Sequence, residues 1–281
     1  MRPRQWPKNA IVLTPLVFDR QLGNLDSVAR TAAAMLLFCL LSSIVYIIND
    51  LADLKADQMH PKKKLRPLAS GKLPTSVAII AAVVLFLITF PLAYLLSPEF
   101  AGIFAAYLVL NIAYSQWLKH IPLVDVMVIS AGFVLRLAGG VSVIQVIFSP
   151  WLYVVTTLLS LYIGFGKRRT ELALLAEDAN SHRPVLGGYT IPFIDQMITI
   201  VSSSTIVVYS LYTFSTSTSP NNHAMMLTIP FVMYGIFRYL YLVQVKQNGG
   251  APEELLLTDH PLQIAIGLWG LSILVILYII R

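Results

Sequence analysis

The stretch Asn49-Asp50-Leu51-Ala52-Asp53-Leu54-Lys55-Ala56-Asp57 ends a long apolar run and is followed by Lys62-Lys63-Lys64-Leu65-Arg66. On a helix, the spacing i, i+3, i+7 puts Asp50, Asp53 and Asp57 on one face. Unpaired, the three carboxylates would repel one another, and they would sit at a helix C-terminus, where the dipole disfavours negative charge. A divalent cation removes both penalties. Hard oxygen ligands on one side, with other positions left to water and phosphate oxygens, are how magnesium is usually held. The stretch therefore predicts a site for Mg2+ and a polyphosphate at a membrane surface.

Composition supplies the membrane. The 281 residues are 57% hydrophobic and only 12% charged, with a mean hydropathy of +0.72, too apolar for a soluble domain of ordinary make-up. Uncharged runs fall at 31–48, 75–98, 101–118, 126–135, 137–166, 196–222, 224–237 and 261–280. About 20 such residues cross the hydrocarbon core as a helix. Ser149-Pro150 breaks the longest stretch into two spans, whereas Arg136 and Arg238 interrupt runs that otherwise read as continuous. The segment 9–18 is short and contains Pro15. If it crosses, fifteen of the 20 Lys+Arg fall on one side, three (Arg20, Arg30, Arg281) on the other and two within spans. The positive-inside rule makes the basic side cytoplasmic. The expectation is an all-α integral membrane protein, a nine-transmembrane-helix bundle forming one polytopic domain over 1–281, multi-pass in the cell membrane. Its cytoplasmic cap loops are an Asp-rich loop at 50–74 and a second loop at 167–189.

Other classes fall away. The net charge of +6 is ordinary for basic loops facing anionic lipid and gives no argument for nucleic acid. The lone Cys39, mid-span, reads as packing and excludes an internal disulfide. No small-residue cleavage site follows the first apolar segment, so a cleaved signal peptide is not expected. The sequence holds no Walker loop, His/Cys metal cluster, nucleophile elbow or dinucleotide fingerprint.

Further polar groups mark the predicted cytoplasmic side. Arg66-Pro67-Leu68-Ala69-Ser70-Gly71 is turn-rich and should fold back over the acids, where its basic residues could clamp phosphate or serve only as topogenic charge. Tyr114, Lys119 and Asp125 lead into Arg136, an intramembrane cation for which a polar cavity or a partner, one of the aspartates among them, is the default expectation. Gly166-Lys167-Arg168-Arg169-Thr170-Glu171-Leu172 stands where a span should exit, so its cations either snorkel or bind an anion. His182-Arg183 and Tyr189 precede the seventh span. Arg238 should snorkel, and Asp259 should cap the final helix.

Taken together, these motifs resemble a known family. Asn49-Asp50-x-x-Asp53-x-x-x-Asp57 with Arg66-Pro67-Leu68-Ala69-Ser70-Gly71 looks like the first signature of the UbiA superfamily of intramembrane prenyltransferases. Within it, Arg2-Pro3-Arg4-Gln5-Trp6-Pro7-Lys8-Asn9, Tyr114 with Lys119, Gly166-Lys167-Arg168 with Glu171, Arg238-Tyr239, and Pro252-Glu253 with Asp259 are similar to the decaprenyl-phosphate phosphoribosyltransferase branch. Typical superfamily members carry a second aspartate motif. Here that exit is Lys167-Arg168-Arg169, with Glu171, Glu177 and Asp178 as the nearby acids. A basic cluster in that place suits a substrate pair richer in phosphate and poorer in magnesium bridges.

The resemblance implies transfer of 5-phosphoribose from 5-phosphoribosyl 1-pyrophosphate to a polyprenyl phosphate, with Mg2+ as cofactor and membrane lipids around it, and leaves homo-oligomerisation open. It implies that Asp50, Asp53 and Asp57, aided by Asn49, hold the metal on pyrophosphate. Lys63 and Arg66 would grip the leaving group, and Lys167 with Arg168 the ribose 5-phosphate. Lys119 and Arg136 would orient the lipid phosphate, with Tyr114, Glu171 and Tyr189 among the substrate-binding residues. Two alternatives stay open: a UbiA-type prenyltransferase acting on an aromatic or quinone-precursor acceptor, and a non-catalytic transporter of an anionic lipid.

Overall fold

Apolar runs long enough to cross a bilayer can satisfy their backbone only as helices there, and the regular elements of the computed structural model are all helices among the residues it describes: 3–59, 63–177, 184–215, 223–250 and 252–280. A 3-10 helix (Pro3–Leu13) opens the chain and passes into α1 (Thr14–Phe18). There follow α2 (Leu25–Ala52), α3 (Leu54–Met59), α4 (Thr75–Leu96), α5 (Pro98–Gln116), α6 (Val124–Ile144), α7 (Pro150–Glu177), α8 (Ile191–Ser215), α9 (Ile229–Gln244), α10 (Pro252–Thr258) and α11 (His260–Tyr278). Local signals set many of the boundaries. The Asn24 side chain accepts from the N–H of Asp26 and of Ser27 and starts α2. Ser97 ends α4 and caps α5, its Oγ accepting from Phe100 N–H at 3.4 Å ahead of Pro98 at the first helical position. Asp259 accepts from Leu262 N–H at 2.9 Å and starts α11, as expected.

Six helical segments are long and apolar enough to cross a membrane: Leu25–Ala52, Thr75–Leu96, Val124–Ile144, Ile191–Phe214, Ala224–Gln244 and His260–Tyr278. The protein is a multi-pass membrane protein. Two of the other expected spans are present as helices of 19 residues (α5) and 28 residues (α7). The first is not an ordinary span. Its apolar part, 9–18, is five residues of 3-10 helix and five of α-helix, which at about 2.0 and 1.5 Å per residue rise about 17 Å, short of the hydrocarbon core of about 30 Å. The segment is not among the six helical segments long and apolar enough to cross.

The chain divides into two compact units. The first comprises residues 1–16, 24–128 and 135–146. In it α2 packs against the N-terminal segment, α4 and α5, around a core of Val12, Phe38, Leu41, Phe100, Phe104 and Tyr107. Phe38 sits edge-on to Phe100 at 5.5 Å and to Tyr107 at 5.6 Å between centroids. Opposite the core, α4 exposes Ile80, Val83, Val84, Leu87 and Ile88, a surface suited to lipid. The second unit comprises 17–23, 129–134 and 147–281. There α7 packs on α8, and α9 on both α8 and α11. Its core gathers Tyr209, Tyr212, Met225, Ile273 and Leu277, with Phe18 and Trp269 packed against it.

Two expectations about local structure are corrected. The acidic stretch is not one continuous helix: α2 stops at Ala52, and Asp57 lies in α3. The proposed second loop begins later than residue 167, because α7 carries Lys167 through Glu177 as helix. A cationic run does not end a helix that continues with Thr170-Glu171-Leu172-Ala173-Leu174-Leu175, since Glu, Leu and Ala are strong helix formers.

Candidate active site

The acidic cluster is built where α2 gives out. Asp53 caps α2 with φ −93° and ψ 9°, donating its N–H to Asn49 O at 2.9 Å, and Asp57 N–H donates to Asp53 O at 2.8 Å. The backbone thus keeps its i to i−4 bonds while the helix is interrupted. Asp50 and Asp57 share one cation and Asp53 has another. Arg66 Nη1 donates to Asp50 Oδ1 at 3.1 Å and also to Asp57 Oδ2, whereas Lys119 Nζ donates to Asp53 Oδ1 at 2.7 Å. Asp57 is the most buried of the three, its side chain 3% exposed against 16% for Asp50 and 32% for Asp53.

Arg66 reaches the acids because the strip after it folds back, as expected from its turn residues. Ser70 N–H donates to Arg66 O, Gly71 N–H to Leu68 O, and Leu73 N–H to Pro67 O. Gly71 has φ +75°, the left-handed region that glycine enters without a Cβ clash. Leu68 is buried and anchors the turn. Each acid is matched by a cation, Asp50 and Asp57 by Arg66 and Asp53 by Lys119. Asn49 and Tyr114 are half-buried in α2 and α5. The side chain of Lys63, and all of Lys62, Asp178, His182 and Arg183, lie outside the described residues, as do the side chains of Glu177 and Glu253.

A metal fits two of the acids directly. One cationic nitrogen already stands between Asp50 and Asp57, within hydrogen-bond reach of both, and a divalent ion needs the same position and the same hard oxygen donors. Asp53 is turned to Lys119, and among the described residues no group of three acids, histidines or cysteines converges as a ligand set. The three expected ligands are thus not gathered in this geometry: Asp50 and Asp57 converge on one point, and Asp53 does not.

Arg136 also belongs to the first unit, where it binds Asn9 and Tyr107. Nε donates to Asn9 Oδ1 at 2.6 Å and Nη2 to the Tyr107 hydroxyl at 2.5 Å, and the guanidinium carbon lies 4.6 Å from the Tyr107 ring centroid. Asn9, fully buried, also accepts from Ser42 Oγ at 3.4 Å and donates to Cys39 Sγ at 3.2 Å. The intramembrane arginine is thus tied to the N-terminal segment, α2 and α5.

In the second unit Lys167 is half-buried on α7, and Arg168, 1% exposed, donates through Nη1 to Glu171 at 2.5 Å. Tyr189, just after the 3-10 turn Pro184–Gly188 that leads into α8, is buried and stacks on Phe193, 6.4 Å between centroids. Close packing sets α7 in place: a Cβ on Gly166 would come within 2.8 Å of the Tyr239 hydroxyl, which donates to Ile163 O. Arg238, expected to snorkel, instead pairs with Asp259 through Nε at 3.1 Å and Nη2 at 2.8 Å. The guanidinium holds the Asp259 carboxyl below the usual carboxylate range.

Sequence reasoning missed one latch. Arg169 Nε donates to Asp195 Oδ1 at 2.6 Å and Nη1 to Val243 O at 3.1 Å, while Gln244 Nε2 donates to the same carboxylate at 3.2 Å. The latch ties α7, α8 and α9. Its signal was present: Asp195 is the sole acid in the apolar stretch of α8, and an ionisable group there requires a partner.

Helices of this length and composition, carrying an acid–base cluster at a helix end, define a polytopic membrane protein with a charged site. Residues 20–258 match the UbiA prenyltransferase family, and the chain belongs to that family. It is similar to the decaprenyl-phosphate phosphoribosyltransferases of Corynebacterium glutamicum, 32% identical over 99% of this chain and 86% of that one, and of Mycolicibacterium smegmatis, 32% identical over 96% and 88%. Those relatives are transferases, and so is this protein. The fold is shared with a UbiA homolog from Archaeoglobus fulgidus bound to DMAPP and Mg2+, with a TM-score of 0.72 at 15% identity over 99% of this chain and 97% of that one. An apo UbiA homolog from Aeropyrum pernix K1 gives a TM-score of 0.61 at 16% identity, covering 93% and 96%.

Proposed function

We propose that this enzyme transfers 5-phosphoribose from 5-phosphoribosyl 1-pyrophosphate to a polyprenyl phosphate of decaprenyl type, releasing pyrophosphate, in a Mg2+-dependent reaction at the cytoplasmic face of the cell membrane. The observation that carries it is similarity along 99% of the chain to a protein named for this activity. The acid–base cluster supports it chemically. The fifteen Lys and Arg on the side that holds Asp50 support the orientation.

In the reaction a phosphate oxygen of the lipid forms a bond to C1 of the ribose, the bond from C1 to the pyrophosphate oxygen breaks, and its electron pair leaves with pyrophosphate. The nucleophile is already ionised at neutral pH, so no strong general base is needed and positioning dominates. Asp50 and Asp57 would hold Mg2+, with Asn49 and Asp53 beside them, and the ion would offset charge developing on the leaving oxygen. Arg66, released from the two acids, gains a phosphate to grip, which its fork-shaped guanidinium suits. Lys63 would assist Arg66. Lys119 and Tyr114 would meet substrate oxygens, and Lys119 is held in place by Asp53 until then. In the second unit, Lys167 is the accessible candidate for the ribose 5-phosphate. Arg168, Glu171 and Tyr189 are buried or paired and would position it. Arg136 would orient the lipid phosphate.

The test is incubation of membranes holding the enzyme with labelled 5-phosphoribosyl 1-pyrophosphate and a polyprenyl phosphate, with and without magnesium. Label entering an organic-soluble lipid only with magnesium is the expected result. No label in lipid under either condition, together with prenyl transfer to an aromatic acceptor, would overturn the proposal.

A further inference from the structure

Among the described side chains one buried polar atom has no partner, the indole nitrogen Nε1 of Trp6. An unmade hydrogen bond of this kind is uncommon in folded proteins and calls for an explanation, such as a ligand. Indole N–H is a donor only, so whatever satisfies it must be an acceptor.

Trp6 lies in the 3-10 helix Pro3–Leu13, in which residues three apart eclipse, so Trp6 shares a face with Asn9. Asn9 Oδ1 has two lone pairs and already accepts from Arg136 Nε and Ser42 Oγ. The Tyr107 hydroxyl already accepts from Arg136. Charge points the same way: residues 1–18 hold Arg2, Arg4 and Lys8 and no acid. A donor-rich, cationic segment calls for an anionic oxygen. The segment also runs on through Ala10, exposed, and Ile11 and Leu13, half-buried, apolar side chains suited to an amphiphile rather than to a free sugar phosphate.

We propose that the Trp6 indole N–H donates to a phosphate oxygen of the lipid acceptor, making the N-terminal segment part of the acceptor's binding site. The inference rests on the reading of that acceptor as a polyprenyl phosphate. Trp6→Phe keeps the aromatic ring and deletes the donor. The chain loses an unsatisfied buried group, so its thermal stability should be unchanged or raised.

The experiment uses the full chain in phosphatidylcholine nanodiscs, with farnesyl phosphate, farnesol, inorganic phosphate and 5-phosphoribosyl 1-pyrophosphate as probes. Trp6→Phe should bind farnesyl phosphate about tenfold or more weakly, the loss expected for a hydrogen bond to a charged group. Its affinities for farnesol and 5-phosphoribosyl 1-pyrophosphate should not move. In nitrogen-15 spectra of wild type, which has four tryptophans, the Trp6 indole resonance should shift downfield with farnesyl phosphate. Equal farnesyl phosphate affinity in the two proteins, or an unmoved Trp6 resonance, overturns the inference while leaving the proposed reaction intact. A loss confined to inorganic phosphate or to 5-phosphoribosyl 1-pyrophosphate overturns it too, by assigning the donor to another phosphate. Wild type that binds farnesyl phosphate no better than farnesol overturns the proposed acceptor, and this inference with it.

Discussion

Val12 and Gly140 meet so closely that a Cβ on Gly140 would lie 2.1 Å from the Val12 carbonyl oxygen. Three residues earlier on one side and four on the other, Asn9 accepts from Arg136. Three residues of 3-10 helix and four of α-helix both rise about 6 Å, so the N-terminal segment runs parallel to α6 and in register with it. The first segment therefore enters from the face on which α6 begins, as the charge distribution requires. Gly140→Ala should cost about 1–3 kcal/mol, because the clash is with backbone that cannot turn aside. Gly23→Ala, which meets nothing within 4 Å, should be near neutral, and thermal melting in detergent compares them.

Arg66 holds Asp50 and Asp57 with a single nitrogen. In Arg66→Gln the nearly buried Asp57 carboxylate loses that partner, which should cost about 2 kcal/mol in metal-free buffer. Magnesium can then take the vacated place without competition. Its addition should raise the melting temperature of Arg66→Gln more than that of wild type, and an equal response would separate the metal from this pair of acids.

Lys119 and Asp53 are joined at 2.7 Å, yet Asp53 is one-third exposed, so screening limits the pair to about 1 kcal/mol. A double-mutant cycle with Lys119→Ala and Asp53→Asn should return that coupling in stability. Transfer activity should fall far more than stability does.

How far the sequence could be read follows from the kind of signal each feature left. The helices were legible because apolar runs have no other way to satisfy their backbone in lipid, and the acid cluster was legible because carboxylates at a helix end need cations. The break at Asp53 was not, since Leu51 through Ala56 read as good helix and the interruption accompanies tertiary pairing with Lys119, 66 residues away. The 3-10 form of Pro3–Leu13 was hidden too: hydropathy counts residues, not rise per residue. Arg136 was rightly singled out as an intramembrane cation, but its partners Asn9 and Tyr107 are neutral and distant in sequence. Asp195 stood one residue before the run that begins at 196 and went unremarked, although it anchors Arg169.

Asp259 gives a pH signature. Arg238 lowers its carboxyl below the ordinary value in the folded protein, so its stabilisation is complete above the unfolded carboxylate range, near pH 4, and is lost as pH falls through the folded value. Asp259→Asn can still cap α11. Melting temperature followed from pH 6 down to pH 3 should therefore fall more steeply in wild type than in the variant at the acid end.

Magnesium-dependent handling of pyrophosphate at Asp50 is tested most directly by Asp50→Asn, which removes one charge and keeps the shape. The measurement is transfer of label from 5-phosphoribosyl 1-pyrophosphate to a polyprenyl phosphate, made on protein whose melting in detergent matches wild type. The expected result is a loss of about a thousandfold or more, the scale on which electrostatic stabilisation of a leaving group acts. Wild-type activity in a folded Asp50→Asn protein would contradict it.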